Sequence, residues 1–301
     1  MTQTIGMVGL GKMGANLARN AMRNGWSVVG YNRTTAVTEG MESEGLVVAR
    51  TYEELAAKLS APRIIWIMLP AGPAVDDAIT AIAPYLEKGD IVVDAGNSPY
   101  TDDPRHEEQL APKGIHFMDV GVSGGPGGAL NGACHMAGGT TETYAVLEPF
   151  LKATAQDHTA YQYFPGIGAG HFVKMVHNGI EYGMMQALAE GMAVLKAEKF
   201  SLNLSDVASI YNNGSVIESR LVGWLQSGYK AYGEDLESIS STVAHTGEGA
   251  WTVEAAERLN IPVPVIKDSL QFRKDSAEKG GYIGKVLSAL RNQFGGHAAG
   301  K

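Results

Sequence analysis

The chain has 301 residues, 45% of them hydrophobic, which is enough for two domains with real cores. Its formal charge of −8 argues against a nucleic-acid binder, because phosphate affinity comes from clustered Lys and Arg; an anionic small molecule held by a few local cations is not excluded. Cys134 is the lone cysteine, so an intrachain disulfide is impossible. Apolar runs such as Ile64–Leu69 are too short to span a bilayer, and the opening MTQTIGMVGLG has no basic leader, so a soluble, cytoplasmic chain without a membrane partner is expected.

In chain order, the apolar run Ile5–Leu10 leads into Gly9-Leu10-Gly11-Lys12-Met13-Gly14, followed by a helical segment, Ala15–Asn24, and a second strand, Ser27–Tyr31. A glycine turn between strand and helix inside a βαβ pattern is the context in which backbone N–H groups receive the pyrophosphate of a dinucleotide. After the second strand, where NAD-binding chains carry an acidic residue for the ribose, stand Asn32, Arg33 and Thr34. A guanidinium pairs with a 2′-phosphate that a carboxylate would repel, so NADP is favoured, with NAD left possible. Further strands are expected at Arg63–Leu69, ending in Pro70-Ala71-Gly72, at Ile91–Asp94, ending in Ala95-Gly96-Asn97-Ser98, and at Phe117–Gly121, ending in Val122-Ser123-Gly124-Gly125. Ligands of open α/β sheets bind beyond such strand ends; by position alone Asn97 and Ser123 are equally well read as ordinary turn residues.

Past Gly139 come a helix around Tyr144–Ala153, a short strand, Tyr161–Phe164, and a Pro165-Gly166 break. Everything beyond reads as helix: Gly168–Gly191, Leu204–Tyr211, Ser215–Gln226, Gly249–Arg258, Val265–Ala277 and Lys285–Gln293. The expected architecture is therefore α/β, with a Rossmann-like doubly wound sheet over residues 1–166 and an all-α domain over residues 167–301. Within Gly168–Gly191, Lys174, His177, Asn178 and Glu181 follow i, i+3, i+4, i+7 spacing and share one helical face. Such a stripe in an apolar helix fits a cleft that holds a base and an acid, or else a structural ion-pair network between packed helices. Arg273, in LQFRKDS, reads by default as part of a solvated face. Arg291 to His297 read as a glycine-loosened tail, either inert or reaching a neighbouring subunit's cleft.

The runs GLGKMG, NRT, MLPAG, DAGNS, GVSGG, GAGHFVKMVHNGIEYG and RNQFGGH cover essentially the whole chain, and in them it resembles the 6-phosphogluconate dehydrogenase (decarboxylating) family in its short bacterial form. The run Lys174–Tyr182 discriminates best; several of the others are shared with the wider β-hydroxyacid dehydrogenases. The resemblance implies that Lys174 is the general base on the substrate's C3 hydroxyl and Glu181 the acid that protonates C1. It implies substrate contacts from Asn97, Ser123, Gly124, Gly125, His177 and Asn178, with Tyr182 and Arg273 holding the phosphate, which reverses the default for Arg273. Arg291 and His297 correspond to tail residues donated by a partner subunit, implying a homodimer or homotetramer. The cofactor would lie on Gly9, Leu10, Gly11, Lys12, Met13 and Gly14, on Asn32, Arg33 and Thr34, and on Leu69, Pro70, Ala71 and Asn97. No metal is expected, since oxidation creates a β-keto acid that is its own electron sink. The loop Ala244–Thr252 lacks a phosphate-binding lysine of the long enzymes, and His245 is the candidate substitute. The alternatives are a β-hydroxyacid dehydrogenase of the 3-hydroxyisobutyrate or tartronate semialdehyde kind, which needs no second proton carrier, and a non-catalytic dinucleotide sensor.

Overall fold

A computed structural model describes residues 3–244, 247–296 and 299–300. The first half alternates strand and helix: β1 (Thr4–Val8), α1 (Lys12–Arg23), β2 (Ser27–Tyr31), α2 (Thr35–Gly40), β3 (Val47–Ala49), α3 (Tyr52–Ala57), β4 (Ile64–Ile67), α4 (Pro73–Ile82), β5 (Ile91–Asp94), α5 (Asp103–Leu110), β6 (His116–Ser123), α6 (Gly125–Asn131), β7 (Cys134–Gly139), α7 (Thr141–Thr154) and β8 (Tyr161–Pro165). These strands form one sheet in the order β3-β2-β1-β4-β5-β6-β7-β8. Pairing is parallel except between β6 and β7. The first six strands have the doubly wound order, in which the crevice for a dinucleotide opens where the winding reverses, beside β1.

Central strands of such a sheet are covered on both faces and read as continuous apolar runs; β4 (IIWI) and β5 (IVVD) are buried at every position. One face carries Ile5, Met7, Trp66, Val93 and Met118 against Leu17, Leu147 and Phe150; the other carries Val8, Ile65, Ile67, Val92 and Phe117 against Ile79, Ile82 and Leu110. The antiparallel β7 has little strand signal in its own sequence, CHMAGG, and exists because β6 templates it from Asp119↔Gly138 to Ser123↔Cys134.

The rest is helical: α8 (Ala169–Ala197), α9 (Leu204–Tyr211), α10 (Arg220–Tyr232), α11 (Glu248–Arg258), α12 (Pro264–Lys279) and α13 (Gly281–Gly295). Helix α10 starts five residues later than the apolar pattern suggests, because Ser219 caps it by accepting from Val222 N at 3.3 Å. Helix α8 outruns its expected end by six residues, through the good helix formers Met192, Ala193, Leu195, Lys196 and Ala197. The chain divides into two compact units between Met175 and Val176, inside α8. The division falls there because the first turns of α8 are fixed to β6 and β7. No helix among the described residues is long and apolar enough to cross a membrane.

Candidate active site

The glycine turn after β1 assigns each glycine a separate task. Gly9 has φ +93°, and a Cβ on it would lie 2.5 Å from Met68 O, so the tight turn demands glycine. Gly14 packs helix on strand: a Cβ there would be 2.0 Å from Gly9 O. Around Gly11 a Cβ would meet nothing within 4 Å, and α1 starts there with no side-chain cap. Open space beside uncapped N–H groups is what a close-lying pyrophosphate requires, so the turn fits a dinucleotide. Asn32 accepts from Leu10 N through Oδ1 at 3.0 Å and donates through Nδ2 to Thr34 O at 3.1 Å, tying the end of β2 to the turn. Arg33 and Thr34 remain exposed beside it, as does Lys12 at the start of α1, while Met13, Leu69 and Ala71 are half-buried.

Next along the sheet, Asn97 is exposed after β5, and Ser123, Gly124 and Gly125 follow β6, the two glycines with φ of +114° and +63°. Lys174 belongs to this unit. It is buried, 7% exposed, with its stem on Gly121 of β6, where a Cβ would come within 2.2 Å of Lys174 Cβ. Two residues earlier, the buried Asp119 carboxylate accepts from Gly168 N at 2.7 Å and His171 N at 2.8 Å, satisfying the first N–H groups of α8. Gly170 lets the helix meet the sheet backbone to backbone; a Cβ on it would be 2.3 Å from Met136 O.

Behind Lys174 lies a charge cluster that the polar stripe did not include. His171 Nδ1 bonds Asp103 Oδ2 at 2.9 Å, both side chains being buried, and Asp94 lies near enough for Asp94, Asp103 and His171 to bring ligand-type atoms within 4.8 Å of one another. With Nδ1 taken by Asp103, we read the trio as an imidazolium–carboxylate cluster that pins α8 to the start of α5. Burial alone would lower the imidazole, but Asp103, Asp94 and Asp119 outweigh it and hold the His171 pKa up at about 9. Signals for these residues existed: His171 continues the stripe one turn before Lys174, and Asp119 interrupts an apolar strand. Because the folded pKa of His171 lies above its ordinary 6.5, its stabilisation is complete below about pH 6.5 and lost as pH rises through about 9; burial also raises the Asp103 carboxyl to about 7, so ionising it costs stability as pH rises to about 7. Thermal midpoints measured from pH 6 to pH 9.5 should therefore fall, on the order of 3 kcal/mol of stability in total, and fall less in Asp103→Asn. A flat profile would show that the cluster carries no net proton.

The second unit receives the rest of the stripe. His177 Nδ1 bonds Asn178 Oδ1 at 2.9 Å and lies 3.9 Å from Glu181 Oε2. Helix α8 meets α11 through Gly179 against Thr252 and through Gly249 against the Tyr182 ring. Arg273 of α12, 3% exposed, stacks its guanidinium 3.4 Å from the centre of the Tyr182 ring. Arg291 of α13, 8% exposed, lies close to Tyr182, Glu248 and Arg273. Among the described residues neither guanidinium makes an ion pair; Arg273 Nη2 lies 3.6 Å from Met185 Sδ, and the Tyr182 hydroxyl and Glu181 carboxylate act on Arg273 electrostatically. Arg273 Nε and Tyr182 Oη are buried without partners. Burial pushes the Arg273 guanidinium down to about 10 and lowers Arg291 as well. Buried cations are normally paired, so two of them beside Tyr182 suit an anionic ligand. Arg273 is thus no part of a solvated face. His245 and His297 lie outside the described residues.

The NAD-binding domain model of 6-phosphogluconate dehydrogenase matches residues 4–164, and the C-terminal domain model of the same enzyme matches residues 170–293. A Bacillus subtilis (strain 168) protein, provisionally named 6-phosphogluconate dehydrogenase, is 42% identical over 99% of both chains. The NAD(+)-dependent, decarboxylating 6-phosphogluconate dehydrogenase of Haloferax volcanii is 35% identical over 97% of both. The Plasmodium falciparum 6-phosphogluconate dehydrogenase, solved in its apo form and with NADP+ and 6-phosphogluconate, superposes with a TM-score of 0.83 at 31% identity, over 97% of this chain and 70% of its own. With both units matched in order and relatives aligned end to end, the chain belongs to the 6-phosphogluconate dehydrogenase family.

Proposed function

We propose that this protein oxidises and decarboxylates 6-phospho-D-gluconate to D-ribulose 5-phosphate and carbon dioxide, reducing NADP in preference to NAD. The observation that carries the substrate assignment is the pair of buried, ion-pair-free guanidiniums, Arg273 and Arg291, around the orphaned Tyr182 hydroxyl. A phosphate dianion satisfies all three groups at once, whereas a small unphosphorylated hydroxyacid leaves two buried cations unmatched.

Bound NADP or NAD supplies the hydride acceptor. Lys174, in its neutral form, takes the proton of the C3 hydroxyl when the C3 hydride leaves; it is buried with its stem on Gly121. The 3-keto acid so formed loses its carboxylate as carbon dioxide, and the keto oxygen accepts the electrons of the broken bond, so this chemistry needs no metal. Glu181 then delivers a proton to C1 of the enediol. Asn97, Ser123, Gly124, Gly125, His177 and Asn178 orient the sugar acid. The acidic, cysteine-poor composition fits a cytoplasmic enzyme, and assembly as a homodimer or homotetramer is the family's expectation.

Initial rates with 6-phosphogluconate, following reduced cofactor and carbon dioxide together, test the reading. Equal yields are expected. Reduced cofactor without carbon dioxide would favour a simple hydroxyacid dehydrogenase, and no turnover would leave the sensor reading. Arg33→Ala should lower kcat/KM for NADP by about tenfold to a hundredfold and spare NAD, as loss of charge-assisted hydrogen bonds to a 2′-phosphate requires. Equal efficiency with both cofactors in the unmodified protein would remove the NADP preference.

A further inference from the structure

We propose that His171 is a positioning residue: it locks the loop that carries Asn97 and the helical turn that carries Lys174 into one piece, so that base and cofactor loop meet the substrate in register. This rests on the 6-phosphogluconate reading above and concerns how the first unit sets its share of the site, since all of these residues belong to that unit. His171 stands one turn before Lys174 on α8, on the same helical face. Its imidazole lies among three buried carboxylates from three elements. Asp94 and Asp119 are side by side on β5 and β6, and Asp103 begins α5. Asp103 takes Nδ1, and all three carboxylates favour the protonated imidazole.

Asp94 carries this tie into the cofactor loops. Its Oδ1 accepts from Gly96 N at 2.9 Å, a side-chain turn that shapes residues 95–98. Gly96 packs in turn on the loop after β4, where a Cβ would be 2.7 Å from Leu69 O. Asn97, between Gly96 and the buried Ser98, is the exposed residue of this turn. Before it reaches Asp103 the segment touches the start of α8 again. The Tyr100 ring meets the Phe172 ring edge-on at 5.0 Å, and a Cβ on Gly168 would lie 2.9 Å from Tyr100 O. Segment 94–103 is thus clasped to the first turns of α8 at both ends and in its middle. Ring packing alone fixes separation, whereas a charged, hydrogen-bonded centre also fixes direction. A clasp needed only for stability is served as well by apolar side chains, so four buried ionisable groups here point to a demand on geometry.

A double-variant cycle tests the coupling. His171→Asn keeps a donor for Asp103 at the place of Nδ1 and removes the charge; Asn97→Ala alters an exposed side chain only. Measured well below its melting midpoint, His171→Asn should lower kcat by about tenfold to a hundredfold, the size of effect that a misplaced base produces, and leave KM for 6-phosphogluconate within about threefold. Unchanged kcat in the folded variant would show a structural tie only and overturn the proposal. In kcat/KM the two changes together should cost less than the product of their separate costs, by about fivefold or more. Losses that simply multiply would also overturn it. Should His171→Asn not fold, Asp94→Asn, which keeps an acceptor for Gly96 N, takes its place in both measurements. Wild-type protein inactive on 6-phosphogluconate would defeat the functional reading instead; the cycle then runs on the dissociation constant of NADP, under the same criterion.

Discussion

Lys174→Met is expected to lower kcat by about 10²–10⁴-fold while leaving the dissociation constants of 6-phosphogluconate and NADP within a few-fold of wild type. Methionine retains most of the stem that lies on Gly121 and removes only the amine, so the buried position stays filled and α8 stays seated. The loss should then appear in the chemical step, because the base is needed when the C3 hydroxyl loses its proton and not for binding. Isothermal titration for the two ligands and single-turnover rates for the reaction separate the two effects. A variant that binds both ligands normally and keeps more than about a tenth of wild-type turnover would move the base to another residue.

How the sequence reported this site depended on what each residue does. The dinucleotide turn was legible because its glycines answer to backbone geometry that few residues can adopt. Gly9 needs a positive φ, Gly14 needs a missing Cβ, and both demands are local. The stripe from Lys174 to Glu181 was legible because a helix turns its spacing directly into a shared face. Arg273 was ambiguous for the opposite reason. Nothing local separates a solvated arginine from one stacked on Tyr182; its meaning depends on α8 and α12 lying together. The His171–Asp103 pair joins residues 68 positions apart, and the strand β7 exists through pairing with β6 and β8, so neither could be composed from local propensity. Arg291 shows a further limit: its place in a helix was legible, but its burial was not, because that depends on how α13 packs through Leu287 and Leu290.

The seating of α8 on the sheet yields the largest stability effect, and the same helix supplies its own control. Gly170→Ala would place a methyl 2.3 Å from Met136 O, 2.7 Å from Gly138 N and 2.8 Å from Asp119 O, all backbone atoms of β6 and β7 that cannot rotate away. Relief requires lifting the first turn of α8, which breaks the bonds from Gly168 N and His171 N to Asp119 and displaces Lys174. The expected cost is about 3 kcal/mol or more, with turnover falling alongside stability. Gly191→Ala, almost six turns further on, meets nothing within 4 Å, and alanine is the better helix former, so this change should stabilise by about 0.5–1 kcal/mol and leave kcat alone. Denaturant melts of the two variants side by side check the pair of signs. Equal effects would mean that the close approach at Gly170 does not hold in solution, and with it the account of how Lys174 is placed.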